Sequence, residues 1–312
     1  MKQIITILLL AVAALLSRKI LVHLYLRLAV GRTTSCLRSL GKALTGKETK
    51  NPPKENVGKE DYWLHGQNIE KVQIRSWDNY LLTGHYLEHP KAERIVLMFH
   101  GWRGRWDTDG DAMAKGLYDK KSSILLVDQR AHEASGGNYI GFGILERYDC
   151  LDWIEYAEKR IHSLPIYLSG VSMGASTVLM ASGMTLPDRV KGVIADCGFT
   201  SPYEMVKIFA KKFMKMKNLS MVDDVNQLCR KKAGYDLREY STLEAMKSCH
   251  IPVFLAHGTK DDFVPIDMTL ENYEACRSRK TLYIAEGAAH TGSYLADPER
   301  YLEEVSRFFQ WL

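Results

Sequence analysis

Ile166-Tyr-Leu-Ser-Gly-Val-Ser-Met-Gly-Ala-Ser-Thr-Val-Leu-Met180 is the stretch that decides the fold. An apolar run is followed by the pattern Gly170-x-Ser172-x-Gly174 and then by a second run of small and apolar residues. This order predicts a strand, a tight turn and a helix, with the serine hydroxyl exposed at the tip of the turn. Glycines flank the serine because the turn brings neighbouring backbone too close for side chains. The first amides of the helix would face a negative charge that develops beside Ser172.

Strand-like and helix-like runs alternate on both sides of this stretch, over residues 61–312. Two segments in which apolar and polar residues alternate predict a hairpin, at 72–76 and 81–87. Continuous apolar runs, typical of strands buried on both faces, lie at 94–99, 123–127, 166–168, 193–195, 253–256 and 281–284. Helical patterns lie at 111–118, 145–161, 268–276 and 299–312 and directly after the serine. The sequence therefore predicts an α/β fold, in which helices flank a mostly parallel eight-stranded sheet.

Two further side chains that can take part in catalysis follow predicted strands, at the edge where the carboxyl ends of parallel strands meet. Asp261 lies in the loop after 253–256, and His290 follows the last strand. A serine hydroxyl is a poor nucleophile until an imidazole takes its proton and a carboxylate orients that imidazole. The chain order Ser172, Asp261, His290 is the order expected when the serine lies on such a turn. We therefore predict that these three residues form a catalytic triad.

The loop His100-Gly101-Trp102 follows the strand at 94–99. Its glycine allows a sharp turn that would leave the Trp102 amide free to bind an oxyanion, together with the amide of Met173.

Two other carboxylates are alternatives to Asp261 as the acid. Asp262 is its neighbour, although the register relative to Val264-Pro265 favours Asp261. Asp196 also ends a predicted strand, where it could serve as the acid or cap the turn that follows.

We expect structural roles for three histidines near the same edge, His100, His132 and His257.

Together these motifs resemble the α/β-hydrolase superfamily, in particular the bacterial branch described as serine-aminopeptidase-like or BEM46-like. The resemblance covers about residues 61–312 and rests on Phe99-His-Gly-Trp102, Asp128-Gln-Arg-Ala-His-Glu-Ala-Ser-Gly-Gly137, Gly170-Val-Ser-Met-Gly174, His257-Gly-x-x-Asp261-x-x-Val-Pro265 and His290. One departure is that Arg130-Ala131-His132-Glu133 stands where the superfamily often has Arg-Gly-His-Gly.

The resemblance implies roles for residues of this chain. It makes Ser172 the nucleophile, Asp261 the acid and His290 the base, with Trp102 and Met173 as the oxyanion donors. We predict hydrolysis of a carboxylic ester or thioester of a small acyl substrate through an acyl-enzyme, because these bonds need less help to the leaving group than amides do, and no metal or organic cofactor is required. Aminopeptidase-type amide hydrolysis is one alternative. A non-catalytic module of the same fold that binds a lipid or a partner is another.

Composition excludes other classes of function. The chain has 312 residues, of which 46% are hydrophobic and 25% charged, as expected for one large α/β domain with a small appendage. A net charge of +5 is too small for a nucleic-acid-binding surface. The cysteines lack the spacing of zinc sites, which predicts free thiols at Cys36, Cys150, Cys197, Cys229, Cys249 and Cys276.

The amino-terminal segment has a different character. Residues 4–16 are almost wholly apolar, and a second apolar run covers 20–30. We predict that residues 1–30 form an uncleaved membrane anchor, a transmembrane helix, with a cleaved signal helix as the alternative. Lysine and arginine are more frequent after the apolar core than before it, which predicts a cytoplasmic catalytic domain. A secreted or extracytoplasmic domain is the alternative.

Two segments differ from the alternating pattern. Residues 31–62 are polar and rich in lysine and turn-forming residues, which predicts a linker before the domain at 63–312.

Residues 201–250 lack the alternation of strands and helices and are predicted to form a lid over the pocket. Apolar side chains recur there at helical spacing, at Met205, Phe209, Phe213 and Met216, with Lys207, Lys211 and Lys215 on another face. This pattern predicts an amphipathic lid helix, and the lysines could also seat the lid on anionic lipid headgroups so that a lipophilic ester could enter.

Overall fold

The computed structural model describes residues 2–32, 34, 62–161, 163–212, 215 and 220–311, and for residues 2–15 it describes only the backbone. Cys36, most of the predicted linker, and Phe213 and Met216 of the predicted lid helix lie outside these residues.

The described part of the chain contains one sheet of eight strands in the order β1-β2-β4-β3-β5-β6-β7-β8. The strands are β1 (Glu70–Arg75), β2 (Leu81–Leu87), β3 (Arg94–Phe99), β4 (Ser122–Asp128), β5 (Ile166–Val171), β6 (Val190–Asp196), β7 (Val253–Gly258) and β8 (Lys280–Ala285). The predicted hairpin forms, and β2 runs antiparallel to both β1 and β4. The other neighbours are parallel, so their carboxyl ends meet at one edge, as the sequence predicts.

Helices connect these strands and cover the sheet. They are α1 (Lys2–Val30), α2 (Trp106–Asp109), α3 (Asp111–Asp119), α4 (Glu146–Arg160), α5 (Met173–Ser182), α6 (Pro202–Lys212), α7 (Ser220–Ala233), α8 (Thr242–Ser248), α9 (Ile266–Ala275), α10 (Ser293–Ala296) and α11 (Pro298–Phe309). A short 3-10 turn lies at Trp63–Gly66.

The apolar faces of these helices pack on the two faces of the sheet. On one face, Trp153 of α4 and Leu179 of α5 belong to the same buried cluster as the strand residues Leu97 and Leu168. On the other face, Leu117 of α3 and Tyr301 of α11 pack with a second set of strand side chains. Because β3 to β7 are covered on both sides, they have the continuous apolar runs from which they were predicted.

A third buried cluster lies beside the carboxyl edge of the sheet, and the second half of α1 is part of it. Val22, Tyr25, Leu26, Ala29 and Val30 are buried there against side chains of α6 and α7. The Tyr25 hydroxyl donates a hydrogen bond to the Val206 carbonyl, and Arg18 forms an ion pair with Asp224 at 2.6 Å. The last two turns of α1 therefore pack on α6 and α7.

A helix that combines the length and the apolar character needed to cross a bilayer is not found in the described part of the chain. The predicted transmembrane helix therefore has no support in the structure.

The loop that departs from the superfamily pattern holds two non-glycine residues in the left-handed region of backbone conformation. Ala131 and Glu133, which stand where glycines are frequent, have positive φ angles of 59° and 33°. Arg130 holds the loop from within, because its buried guanidinium bonds Asp149 at 2.5 Å and Asp78 at 2.9 Å. Burial opposes the charge on Arg130, but the two carboxylates hold its pKa above the ordinary value. These ion pairs help to keep two non-glycine residues in a conformation that glycine adopts more easily.

Candidate active site

Ser172 lies between β5 and α5, at the tip of the turn that the sequence predicts. Its backbone has φ 55° and ψ −117°, a conformation that non-glycine residues rarely adopt. The Ser172 amide donates a hydrogen bond to the Asp196 carbonyl at 2.8 Å, which holds the turn against the end of β6. A Cβ atom on Gly170 would overlap the Gly174 backbone, and one on Gly174 would overlap the Phe99 carbonyl. Both glycines are therefore required by close backbone contact.

Two hydrogen bonds join the three predicted triad residues. His290 Nε2 is 2.9 Å from Ser172 Oγ, and His290 Nδ1 is 2.6 Å from Asp261 Oδ2. Because a carboxylate only accepts hydrogen bonds, the Nδ1–H donates to Asp261, and Nε2 accepts from the Ser172 hydroxyl. This tautomer allows the imidazole to take the serine proton. The fold thus brings together side chains that are 118 and 29 positions apart in the chain.

Asp261 has a full set of donors around a buried carboxylate. Its Oδ1 accepts from the amides of Phe263 and Val264, at 2.8 and 2.9 Å. Its Oδ2 lies 3.2 Å from Nε2 of His257 in addition to the bond from His290. Burial alone would raise the pKa of Asp261, but the hydrogen bonds from His257 and His290 hold this pKa well below its ordinary value. Asp261 is therefore ionised at neutral pH.

His257 contacts the acid, a role that the sequence analysis missed. It is fully buried, and its Nδ1 lies 2.7 Å from the Thr269 hydroxyl, which orients the ring. The available signal was the spacing of four residues between His257 and Asp261 in one tight loop after β7.

The two alternative carboxylates do not take this position. Asp262 is exposed to solvent. Asp196 is buried and accepts a hydrogen bond from the Ser293 hydroxyl at 2.7 Å, and burial raises its pKa.

The other two histidines, His100 and His132, bond to backbone groups, as expected for structural roles. His100 Nε2 accepts from the Gln129 amide at 3.1 Å, and His132 Nε2 accepts from the Arg103 amide at 3.1 Å.

The two predicted oxyanion donors lie on either side of the serine. Met173 is the first residue of α5, and the first amides of a helix have no acceptor within it. The loop that carries Trp102 passes close to Ser172, since a Cβ atom built on Gly101 would lie 3.4 Å from Ser172 Cβ. Within the described residues, the Trp102 amide has no hydrogen-bond acceptor. Both amides are therefore available for a ligand.

A cavity opens directly beside the serine. It has an empty volume of about 360 Å³, part of which is open to solvent. Apart from Ser172 its lining is apolar and comes from α1, the loop that carries Trp102, α6 and neighbouring loops: Ala29, Trp102, Phe142, Phe199, Met205, Val206, Phe209 and Phe263. Such a cavity favours an apolar group on one side of the bond that reacts.

The ligand atoms of Cys197, Asp261 and His290 lie within 4.8 Å of one another, which raises the possibility of a metal site. Burial raises the pKa of the Cys197 thiol well above its ordinary value, so the thiolate that a metal requires is disfavoured. Asp261 and His290 already bond each other. These side chains therefore fit proton transfer better than metal binding.

Solved structures with known activities share this fold. The esterase PF2001 of Pyrococcus furiosus has a TM-score of 0.65 and 23% sequence identity, over 78% of this chain and 91% of that protein. An acylaminoacyl peptidase of Pyrococcus horikoshii has a TM-score of 0.55 and 17% identity, over 78% of this chain and 41% of that one. The predicted α/β-hydrolase fold is thus confirmed.

Sequence comparisons give the family. The uncharacterized protein YqkD of Bacillus subtilis is 29% identical over 187 residues, which are 60% of this chain and only 61% of the length of that protein. The uncharacterized protein Rv2307c of Mycobacterium tuberculosis is 22% identical over 240 residues, 76% of this chain and 78% of that one. Residues 143–312, more than half of the chain, match the prolyl oligopeptidase family. We conclude that this chain has the α/β-hydrolase fold and belongs to the prolyl oligopeptidase family.

Proposed function

We propose that the protein cleaves a carboxylic ester or thioester through an acyl-enzyme formed on Ser172. The observation that carries this proposal is the continuous hydrogen-bonded chain from Ser172 through His290 to Asp261. It joins a nucleophile, a base and an orienting acid, which together activate a serine.

The proposed reaction has two stages. Ser172 Oγ attacks the carbonyl carbon while His290 Nε2 takes its proton, and the amides of Trp102 and Met173 bind the oxyanion. His290 then gives this proton to the leaving alcohol or thiol. In the second stage His290 activates a water molecule that attacks the acyl-enzyme and releases the acid. Asp261 stabilises the imidazolium in both stages, and His257 holds the Asp261 carboxylate in position.

The cavity favours an ester over an aminopeptidase substrate. A free amino terminus carries a positive charge and needs a carboxylate or several carbonyl groups to bind it. The described residues that line the cavity are apolar except for Ser172. Ester and thioester leaving groups also need less proton transfer than amines. Amide hydrolysis remains the second candidate, because the family and one structural neighbour are peptidases.

Labelling with a fluorophosphonate probe tests the nucleophile. We expect the full chain to react covalently, and mass spectrometry of the digested protein to locate the adduct on the peptide that contains Ser172. Heat-unfolded protein is the control, because an unactivated serine should not react. An unlabelled but folded protein would favour a non-catalytic binding module instead.

A substrate panel then separates ester from amide hydrolysis. We expect p-nitrophenyl esters of apolar acids to be cleaved with a kcat/KM well above that of aminoacyl p-nitroanilides, by about 100-fold or more, because the ester has the better leaving group and the cavity offers no partner for an ammonium group. Both series release the same type of chromophore and can be followed in one assay. A higher kcat/KM for the anilides would reverse the assignment to a peptidase.

We further propose that an anionic bilayer surface binds the face formed by α1 and α6. On α1, the side chains of Leu16, Ile20 and Leu24 are spaced by four residues and are about half exposed. The adjacent helix α6 ends in the exposed basic residues Lys211 and Lys212. Exposed apolar side chains beside basic ones are typical of helices that lie in the lipid interface.

Vesicle sedimentation tests this surface. We expect the full chain to bind vesicles that contain phosphatidylglycerol, and the double variant Lys211→Gln/Lys212→Gln to bind them about 30-fold more weakly, since each basic residue contributes about 1 kcal/mol. The control variant Lys115→Gln/Lys159→Gln removes two exposed lysines from α3 and α4. Equal binding of both double variants, or equal binding to neutral vesicles, would contradict the proposal.

A further inference from the structure

The last turn of α1 is bound to the loop that carries the proposed oxyanion donor. The Trp102 indole Nε1 donates a hydrogen bond to the Ala29 carbonyl at 2.8 Å. The Arg103 guanidinium donates to the Leu28 carbonyl at 2.6 Å and to the Gly31 carbonyl at 3.3 Å. It also lies over the Trp102 ring, 4.8 Å from the ring centroid. The oxyanion loop thus supplies donors for the carbonyl groups at the end of this helix.

These contacts have a physical reason. The last four carbonyl groups of a helix have no partner within the helix, and they carry partial negative charge. The Arg103 guanidinium satisfies one of them, the Leu28 carbonyl, and also interacts favourably with the helix dipole. On the other side of the turn, the Ile140 amide donates to the Val30 carbonyl at 2.6 Å. The last turn of α1 is therefore held on two sides by loops of the catalytic domain.

The chain beyond the helix is held as well. Gly31 forms an isolated β-bridge with Tyr139, and the Arg32 amide donates to the Asn138 carbonyl at 2.8 Å. The Arg32 guanidinium donates to the carbonyl groups of Ser135 and Glu133, at 2.7 and 2.8 Å. These bonds fix the position of the turn, so that its side chains can serve as a rigid wall.

Ala29 is the residue of this turn that reaches the cavity. It is buried, with 1% of its surface exposed, and lies in the same lining as Ser172. Met205, Val206 and Phe209 of α6 line the cavity with it. Its small size matters, because the cavity beside the serine is itself small and a longer side chain at this position would occupy the space.

We propose that Ala29 determines the length of the acyl chain that the enzyme accepts, with the last turn of α1 acting as a fixed wall of the acyl pocket. The proposal rests on the ester or thioester hydrolase function proposed above. It names the substrate class as esters of apolar acids. A longer acyl chain fills more of the cavity and is therefore more sensitive to the size of the side chain at position 29 than a short one.

The test compares p-nitrophenyl acetate with p-nitrophenyl octanoate. The quantity compared is kcat/KM for octanoate divided by kcat/KM for acetate. We expect Ala29→Leu to lower this ratio by about tenfold or more. Each methylene group displaced from the pocket changes transition-state binding by about 10-fold or more. Acetate hydrolysis is the reference in this ratio, so that a loss of activity common to both substrates cancels. The control His23→Leu places the same side chain on the exposed side of α1 and should leave the ratio unchanged.

A second variant distinguishes a change in the pocket from a folding defect caused by Ala29→Leu. Ala29→Gly removes a methyl group and cannot overfill the cavity, so we expect it to shift the ratio toward octanoate. A merely structural role would lower both activities together and leave the ratio unchanged. If neither variant changes the ratio while the fluorophosphonate still labels Ser172, the proposal for Ala29 is overturned and the proposed function stands. Absence of labelling and of ester cleavage in the unaltered chain would instead overturn the proposed function.

Discussion

Replacement of Ser172 by alanine is expected to lower ester turnover by about 10⁴- to 10⁶-fold and to abolish fluorophosphonate labelling, since the remaining groups can only bind and polarise the substrate. The loss should come almost entirely from kcat. The serine side chain adds little to stability because its amide, and not its hydroxyl, holds the turn against β6. The measurement is steady-state hydrolysis of a p-nitrophenyl ester, with the circular dichroism spectrum as a check of folding.

The same hydrolysis assay tests whether Asp261 is the acid of the triad. Asp261→Asn is expected to lower kcat by about 10⁴-fold, because an amide in this position favours the wrong tautomer of His290. Asp262→Asn is the matched control, since it makes the same change at the neighbouring exposed position and should alter kcat by no more than about twofold. Adding Asp261→Asn to Ser172→Ala should cause little further loss, because residues that act as a unit have non-additive effects. A large effect of Asp262→Asn with none of Asp261→Asn would refute the proposed triad.

Gly174→Ala is expected to destabilise the protein by about 3 kcal/mol, because a new methyl group would overlap backbone that cannot move aside. The Cβ atom would overlap the Phe99 carbonyl and lie 2.7 Å from the His100 carbonyl. Both carbonyl groups belong to the end of β3 and the oxyanion loop, so the change should also displace Trp102 and reduce kcat. For a domain of this size the midpoint of thermal unfolding should fall by about 6 to 12 °C.

The control for this variant is Gly66→Ala. Gly66 ends the 3-10 turn at Trp63–Gly66, and no atom lies within 4 Å of a Cβ atom built there. The same chemical change should therefore alter the free energy of unfolding by less than about 1 kcal/mol. Thermal and urea unfolding, both followed by circular dichroism, measure the two effects. Similar stabilities for the two variants would mean that the turn at Ser172 can relax, contrary to the close packing described above.

The fold could be predicted from local pattern because its central strands, β3 to β7, are buried on both faces. β3, β4 and β7 have continuous apolar runs, and their order with the intervening helices leaves few topologies. The serine turn could be predicted for a related reason, since close backbone contact at Gly170 and Gly174 permits only glycine. The positions of Asp261 and His290 then follow from the rule that parallel strands place their carboxyl ends at one edge.

Other features depend on contacts between distant segments, and a local pattern cannot reveal them. The apolar residues of α1 predict burial in an apolar medium, but not that Ala29 lies beside Ser172. Ala131 and Glu133 have positive φ angles although neither is a glycine, and the ion pairs of Arg130 with Asp149 and Asp78 help to hold their loop in this conformation. His257 gave no signal of its contact with Asp261 beyond a spacing of four residues in a short loop.

The attachment of Trp102 and Arg103 to the end of α1 has a practical consequence. Apolar leader segments are commonly deleted to make a protein easier to purify, and a protein shortened to start after residue 31 would lose the carbonyl acceptors of both side chains. Water would then reach the cavity through the missing wall. Inhibitor or substrate screens performed on such a truncated protein would select molecules for an open groove that the intact enzyme does not have.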